Sequence, residues 1–218
     1  VSETDRNWLQ ESCPNLRIDV IPNGVDLDLY QPNHDEKIPD TLLYTGSMDW
    51  FPNEDAVIYC VDEILPIIRS KRPNIKFLIV GQHPTANVRK LSELPNIEVT
   101  GRVEDVKPYI ARSAVYVVPL RIGGGTRLKI LEALAMEKAV VSTSVGAEGL
   151  GLINNKEIII EDNPRQFAAK VVELLENPDR CQQLGKKGQS RVQRDYGWQA
   201  IGEKLRSVYA SLVEKSKG

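Results

Sequence analysis

The stretch RIGGGTRLKILEALAMEKAVV, residues 121–141, combines residue types that can bind an anion at the start of a helix. Three consecutive glycines, Gly123, Gly124 and Gly125, let backbone N–H groups approach a ligand closely, and Thr126 follows them directly. A helix that begins near Thr126 offers unpaired N–H groups and the positive end of its dipole to that ligand. The pattern predicts a phosphate-binding loop; the alternative is a mobile loop before a well-packed helix.

The side chains of this helix separate into two faces on a wheel of about 100° per residue. Lys129 and Glu132 are neighbours at i and i+3 on the polar side, so the amine can meet a phosphate while the carboxylate accepts hydrogen bonds from hydroxyl groups. Arg127 can reach back to the same anion or to a carboxylate of its own domain. A Lys–Glu pair at this spacing is also common on a solvated helix face. The apolar arc comprises Leu128, Leu131, Leu134 and Ala135.

The elements that must position this helix follow from the pattern of apolar residues. Short runs rich in β-branched residues predict six buried strands, at 42–45, 76–80, 97–100, 115–119, 139–143 and 158–160. Helical spacing occurs at 54–70, 103–112 and 126–138, and after the last strand at 164–176, 180–195 and 198–215. Alternation of strands and helices predicts an α/β fold, a Rossmann-like doubly wound parallel six-stranded sheet with helices on both faces.

In such a sheet, ligands bind outside the carboxyl ends of the strands. Besides the glycine loop, three strand ends carry turn residues: YTGSMDW at 44–50, VGQHP at 80–84 and TGRVEDV at 100–106. The glycines match neither G-x-x-x-x-G-K-[ST] nor G-x-G-x-x-G, which argues against an ATPase loop and an NAD fingerprint. His34 and His83 are not paired with a Ser or Cys nucleophile at a recognisable spacing, which argues against a hydrolase triad.

Composition and charge exclude several classes of partner. The 218 residues are 41% hydrophobic, enough for a sizeable core, and the formal net charge of −2 provides no basic surface for nucleic acid. No apolar run reaches the roughly 20 residues that span a bilayer, and no signal-peptide pattern is present. The three cysteines lie far apart, without zinc-site spacing or disulfide density. We therefore predict a cytoplasmic protein without a metal site or a transmembrane segment.

Five segments together resemble a known family: VIPNGVDLDLYQP, LLYTGSMDWFPNEDAV, FLIVGQHP, the stretch from IEVTGRVEDV through GGGTRLKILEALAMEKAVV to GAEGL, and YGWQAI. Their order and spacing are similar to those of the carboxyl-terminal half of a family 4 glycosyltransferase of the two-domain GT-B type, in the subgroup with a GGGTRLKxLEA motif. The resemblance runs from about residue 20 to the end.

This resemblance implies a hexosyltransferase-type enzyme that uses a nucleotide-diphosphate sugar, with retention of anomeric configuration and without a metal or other cofactor. The nucleotide (UDP, GDP or ADP type) stays open. Residues 1–20 would be the tail of a missing acceptor domain with its linker, VSE ending that domain's last strand. Residues 21–197 would form the donor domain, and 198–218 a helix that crosses back. A saccharide or lipid-linked acceptor would bind to the missing domain, and the full-length protein would be cytoplasmic or peripheral at the inner membrane face.

Site residues carry over position by position. Glu132 matches the second acid of the family's E-x7-E motif, which contacts the ribose hydroxyls, and Arg102 with Val103 matches the stretch that borders the base. Gly46 and Ser47 match the turn beneath the phosphates. The predicted catalytic residues, which stabilise the diphosphate leaving group, are Lys129 and Arg127, and the predicted donor sugar and phosphate loop comprises Gly123, Gly124, Gly125 and Thr126.

Two departures from the family leave other functions open. Gly124 stands where the first acid of the motif is expected, and Ser47 with MDWFPN replaces the basic residues that commonly follow the first strand. A non-catalytic nucleotide-sugar-binding or regulatory module is therefore an alternative, and so is a nucleotide-sugar epimerase, although this chain offers no convincing acid–base pair. As an isolated piece the chain is expected to be inactive, and the uncovered helix from Trp198 predicts weak self-association.

Overall fold

The computed structural model describes residues 2–33 and 37–215, and its centre is one parallel six-stranded sheet. The strands are β1 Thr41–Thr45, β2 Lys76–Val80, β3 Ile97–Gly101, β4 Val115–Val118, β5 Val140–Ser142 and β6 Ile159–Ile160. Their spatial order is β3-β2-β1-β4-β5-β6, and every pairing is parallel. This is the strand order of doubly wound nucleotide-binding folds, so the predicted Rossmann-like sheet is confirmed.

One helix precedes the first strand, and the others connect the strands or follow the last of them. They are α1 Glu3–Ser12, α2 Phe51–Tyr59, α3 Leu65–Lys71, α4 Ala86–Lys90, α5 Lys107–Arg112, α6 Leu128–Ala135, α7 Ser144–Ala147, α8 Pro164–Glu176, α9 Pro178–Asp195 and α10 Trp198–Lys215. α8 packs against α3, and α9 packs against α6. β1 and β4, next to each other in the middle of the sheet, are buried at every position, as expected for strands that helices cover on both faces.

Two predicted helices have different bounds for local reasons. The predicted helix 54–70 consists of α2, one π-helical turn at Cys60–Ile64, and α3. Pro66 lies in the first turn of α3, where its missing N–H and its ring are incompatible with a regular bond to the preceding turn. The predicted helix 103–112 begins only at Lys107, because the Asp105 carboxylate accepts a hydrogen bond from the Lys107 N–H at 2.8 Å.

The start of the chain differs from expectation. VSE was expected to end a strand, but Ser2 is the N-cap of α1 and Glu3 is its first residue. The Ser2 Oγ accepts from the Asp5 N–H at 3.1 Å, while the Asp5 carboxylate accepts from the Ser2 N–H at 3.0 Å. This reciprocal capping box satisfies two free donors of the helix start and so fixes a helix here.

The apolar arc of α6 is also shifted from the wheel. Leu131, Leu134 and Ala135 are buried, but Leu128 is 41% exposed and Ile130 is fully buried in its place. α6 begins at Leu128 rather than at Thr126. Its first residue therefore lies at the exposed end of the helix, beyond the part that the sheet and α9 cover.

Candidate functional site

A cleft of about 300 Å³ lies at the carboxyl ends of β1, β2 and β3, against one face of α6. Since α6 follows β4, the cleft is next to the point where the strand order reverses, the usual ligand position in such sheets. It is lined by Thr45, Gly46, Val80, Gly81, Gln82, Arg102, Val103, Val106, Lys129 and Glu132. Five predicted site residues from three distant segments thus meet in one place.

A larger cavity, of about 540 Å³, lies elsewhere, between the segment around Ser2 and the junction of α9 and α10. We favour the smaller cleft as the functional site because strand ends and a helix converge on it. In parallel sheets that convergence brings backbone groups and polar side chains together at one ligand.

Two glycines determine the shape of the turn after β1. The Gly46 N–H donates to the Val80 carbonyl at 3.0 Å. A Cβ added to Gly81 would overlap the carbonyl oxygen of Gly46, and one added to Gly46 would lie 2.8 Å from the Lys129 Nζ. The ends of β1 and β2 therefore touch backbone to backbone, which leaves no room for a side chain at either position.

The Lys129 amine is held by neutral groups beneath this turn. It donates to the Tyr44 hydroxyl at 3.0 Å and to the Asn53 Oδ1 at 2.9 Å, and it lies 4.1 Å from the centroid of the Tyr44 ring. Burial, and to a smaller extent the nearby positive charge of Arg127, lower the pKa of Lys129 from 10.5 to about 7, and the charge of Glu132 partly opposes them. The amine is therefore poised to gain a proton when an anion approaches.

Glu132 is half-buried on the same face of α6. Burial raises the pKa of its carboxyl group, while a hydrogen bond from Tyr30 and the charge of Lys129 act in the opposite direction. Burial and the neighbouring Glu132 carboxylate raise the pKa of Tyr30 to about 12. The tyrosine hydroxyl therefore stays protonated and donates to the carboxylate, which leaves acceptor sites of Glu132 free for other donors.

Ser47, predicted as a site residue, is not among the residues that line the cleft. Its Oγ donates to Asp49 Oδ1, and its carbonyl accepts from the Asn53 Nδ2 at 2.8 Å. Arg102 and Val103, directly after β3, line the cleft as predicted. His83 Nδ1 is 3.5 Å from Asp49 Oδ2 at the neighbouring strand end, whereas His34 lies outside the described residues.

The glycine loop before α6 lies beside the cleft and does not line it. Gly123 and Gly125 have φ of 113° and 83°, values that favour glycine. The Nη1 of Arg127 donates to the Gly124 carbonyl. Within the described residues the buried Arg127 Nε and Nη2 and the Thr126 Oγ1 have no hydrogen-bond partner. The predicted phosphate loop and Arg127 thus adjoin the cleft, with unsatisfied polar atoms.

Neither a metal cluster nor a membrane span is found in the part of the chain that the structure describes. No group of three or more His, Cys, Asp or Glu side chains is arranged to hold a metal ion. No helix of residues 2–33 and 37–215 is both long and apolar enough to cross a bilayer.

Residues 39–177, well over half of the chain, match the family of glycosyl transferases group 1. The chain belongs to this family. Among curated relatives, this group 1 chain is 27% identical over 173 residues to the capsular polysaccharide biosynthesis glycosyltransferase CapM of Staphylococcus aureus, covering 76% of this chain and 45% of CapM. It is 24% identical over 215 residues to a GDP-mannose-dependent monoacylated alpha-(1-6)-phosphatidylinositol monomannoside mannosyltransferase of Corynebacterium glutamicum, covering 88% and 55%.

Solved structures show the same fold in glycosyltransferases. A S. aureus TarM mutant in complex with Fondaparinux, alpha-GlcNAc-glycerol and UDP superposes with a TM-score of 0.81 at 17% identity, over 96% of this chain and 43% of TarM. Anabaena HepE in complex with UDP and glucose gives a TM-score of 0.72 at 12% identity, over 96% and 61%. The chain spans about half the length of the curated relatives it matches. It has the fold of one half of a GT-B glycosyltransferase.

Three residues next to the cleft were not predicted as site residues from the sequence. Tyr30 lies in an irregular segment, Tyr44 reads as an ordinary strand residue, and Asn53 reads as part of a helix start. Tyr30 contacts Glu132, and the other two contact Lys129. Only the spacing LxYxG followed by PN in the quoted motif hints that Tyr44 and Asn53 belong together.

Proposed function

We propose that this chain is the donor-binding half of a hexosyltransferase that uses a nucleoside-diphosphate sugar and retains anomeric configuration. The observation that carries the proposal is that Lys129 and Glu132, three residues apart on α6, line one cleft at the strand ends of a group 1 glycosyl transferase. A saccharide or lipid-linked acceptor would bind to a part of the protein outside this chain.

In this proposal each charged residue has one task. Glu132, oriented by Tyr30, accepts hydrogen bonds from the ribose hydroxyls, and the backbone at Arg102 and Val103 borders the base. As the bond between the sugar and the diphosphate breaks, negative charge accumulates on the leaving phosphate oxygens. Lys129 stabilises that charge by a charge-assisted hydrogen bond.

The glycine loop supplies further donors to the phosphates. The Arg127 Nε and Nη2 and the Thr126 hydroxyl, which find no partner in the described part of the chain, are buried polar groups next to the start of α6. Such groups lower the free energy of a bound anion because their desolvation has already occurred. Together with the helix-start amides they would neutralise the diphosphate without a metal or another cofactor.

A second function, binding without transfer, is favoured by one observation. Gly124 stands where the family carries an acid near the donor sugar, and a Cβ there would meet no atom within 4 Å. The position thus has space for a side chain, but glycine provides no carboxylate there. Transfer of radiolabelled sugar by the full-length protein distinguishes the two functions: binding with no transfer to any saccharide or lipid-linked acceptor supports the non-catalytic module.

Calorimetry with UDP, GDP and ADP on the full-length protein tests the site itself. Binding of at least one nucleotide is expected, with loss of affinity in Glu132→Ala and no change in Glu176→Ala, which removes an exposed carboxylate at the end of α8. Lys129→Met is expected to weaken binding and Lys186→Met, on exposed α9 surface, to leave it unchanged. No binding of any of the three nucleotides at millimolar concentration would contradict the assignment.

We also propose a cytoplasmic location, with peripheral association at the inner membrane face in the full-length protein. Cys13, Cys60 and Cys181 are all free thiols in the structure, which supports a reducing compartment. Thiol titration of this chain purified under air-free conditions, before and after denaturation, should show that Cys13, Cys60 and Cys181 are all free. A native disulfide would contradict this location.

A further inference from the structure

One buried amide connects three segments of the site. Asn53 lies in the first turn of α2 and is 9% exposed. Its Oδ1 accepts from the Tyr44 hydroxyl at 2.6 Å and from the Lys129 amine at 2.9 Å. Its Nδ2 donates to the Ser47 carbonyl at 2.8 Å. The amide therefore links β1, α6 and the turn that follows β1.

The donor and acceptor groups of this network allow only one assignment of which group donates each hydrogen bond. The Asn53 oxygen can accept two hydrogen bonds, and both are made. Because that oxygen is only an acceptor, the Tyr44 hydroxyl must donate to it and so accepts from Lys129. A protonated amine has three N–H groups, of which Asn53 and Tyr44 take two. One N–H of Lys129, which lines the cleft, is left for a ligand.

The turn and the amine are also in direct contact. A Cβ on Gly46 would lie 2.8 Å from both the Asn53 Nδ2 and the Lys129 Nζ. The backbone of the turn, the amide and the amine are thus packed without a gap. A shift of one of them requires a shift of the others.

The partners that hold the amine are neutral. Tyr44 and Asn53 compensate part of the desolvation of Lys129 by hydrogen bonds but do not cancel its charge. The charged groups that act on the amine are Arg127, which repels it, and Glu132, on the same face of α6, which attracts it. A carboxylate at position 53 would instead form an ion pair with the amine and repel a diphosphate.

We propose that Asn53, together with Tyr44, is a positioning residue that holds the Lys129 amine against the Gly46–Ser47 turn and leaves its charge and one N–H for the diphosphate of the donor. This role rests on the proposed function. It deepens that function because it explains why an amide, rather than a carboxylate, lies beneath the phosphate turn. Neither Asn53 nor Tyr44 contacts the substrate in this proposal.

The first arm of the test measures nucleotide affinity by calorimetry on the full-length protein. Asn53→Asp and Asn53→Ala should weaken binding of the preferred nucleoside diphosphate about tenfold or more and leave binding of the matching nucleoside unchanged. Asn87→Ala, which removes an exposed amide of α4 that bonds Glu54 at 3.1 Å, is the matched control. Tyr44→Phe should show a smaller loss than Asn53→Asp, and Tyr116→Phe controls for removal of a buried hydroxyl that bonds Thr45 instead.

The second arm follows the amine itself, without ligand. The NMR signal of the Lys129 Cε methylene, identified by its absence in Lys129→Met, should titrate at higher pH in Asn53→Asp than in wild type. Tyr116→Phe should leave the titration where it is. Between pH 6 and 8, the diphosphate affinity of wild type should fall with rising pH relative to that of Asn53→Asp, because the amine remains protonated in the variant while ionisation of the ligand affects both proteins equally. A merely structural role would not change the pH profile.

The outcomes separate the two ideas. If wild type binds a nucleotide and the Asn53 variants bind it equally well, or lose nucleoside and nucleotide binding together, the positioning role is wrong while the donor site stands. If the Lys129 titration is the same in wild type and in folded Asn53→Asp, the positioning role is wrong as well. If wild type binds none of UDP, GDP and ADP, both the proposed function and the positioning role are wrong.

Discussion

Two glycine-rich turns at the same edge of the sheet differ in how completely their polar groups are satisfied. At the turn after β1, Gly46 packs against Gly81, and each polar atom of Asn53 has a partner. At the loop before α6, a Cβ on Gly124 or Gly125 would meet no atom of the described residues within 4 Å, and donors of Arg127 and Thr126 have no partner among them. Glycine thus permits close packing in the first turn and an open approach in the second.

The difference indicates separate roles for the two turns. A turn whose glycines are in contact with backbone and side chains cannot adapt, so it is suited to hold a charged group in place. A loop with open glycines and unsatisfied donors is stabilised when an anion supplies the missing acceptors. Substitutions in the two turns should therefore affect different properties, stability in the first and ligand binding in the second.

The largest effect is expected for Gly81→Ala. The new Cβ would overlap the Gly46 carbonyl oxygen, so β1 and β2 would have to separate at their carboxyl ends. We expect a loss of about 3 kcal/mol or more in the free energy of unfolding, measured by urea denaturation. Gly101→Ala, with φ of 70° and no atom within 4 Å, should cost only about 1 kcal/mol from backbone strain. Equal losses of unfolding free energy in both variants would show that the close packing at Gly81 does not contribute to stability beyond the backbone strain.

The second effect concerns the pH dependence of stability at Lys129. Because the pKa of Lys129 is lowered from 10.5 to about 7 in the folded protein, the unfolded chain binds more protons between these values. Lys129 therefore contributes stability that increases as pH rises from about 7 towards 10.5, by at most about 1.4 kcal/mol per pH unit.

This contribution is isolated by comparing variants over pH 6.5–10. The free energy of unfolding of wild type minus that of Lys129→Met should rise with pH, whereas the same difference for Lys186→Met, at an exposed position on α9, should stay flat. A flat difference for Lys129→Met would mean that the amine is not desolvated in the folded protein.

A smaller effect on stability is expected for Arg127→Met, in the open loop. Its Nε and Nη2 have no partner in the described structure, so their removal should change the free energy of unfolding by less than about 1 kcal/mol. Nucleotide affinity of the full-length protein should nevertheless fall about tenfold. Thermal unfolding and calorimetry measure the two quantities. A large loss of stability with unchanged affinity would assign Arg127 to the fold instead of the ligand.

The smallest effect is expected for Gly124→Ala. The position has open space around it and an ordinary φ, so the free energy of unfolding should change by no more than about 0.5 kcal/mol. Gly123→Ala, with φ of 113° and the Arg127 Nη2 2.9 Å from the new Cβ, should cost more. Thermal unfolding of both variants checks the order, and the reverse order would contradict the described shape of the loop.

Much of the fold could be predicted because the information is local. The six strands were predicted within one residue of their observed bounds, and α8 was predicted at both ends, since apolar β-branched runs and Pro164 after Asn163 are short-range signals. The helix starts at Leu128 and Lys107 were placed too early. The π-helical turn before Pro66 and the capping box at Ser2 depend on individual side-chain bonds that a periodic pattern does not resolve.

Of the candidate site, the glutamate and lysine of α6 could be placed on one face by helical spacing alone. That Gly46, Arg102 and Val103 border the same cleft follows from the parallel sheet, whose carboxyl ends share one edge. Their nucleotide-binding roles stay predictions. The contacts of Tyr30 with Glu132 and of Asn53 with Lys129 join residues about a hundred and about eighty positions apart, so no local pattern can report them.

The sequence by itself determined the strands, the alternation of strands and helices that makes the sheet parallel, and the charged face of α6. Hydrophobic periodicity and helix geometry act over a few residues, so these features can be predicted locally. Only the tertiary structure decided the burial and the hydrogen-bond partners of the charged side chains. Lys129 lies beneath a closed turn with neutral partners, while buried donors of Arg127 have no partner among the described residues. The physical reason is desolvation, which depends on what surrounds a side chain in space and hence on segments that are distant along the chain.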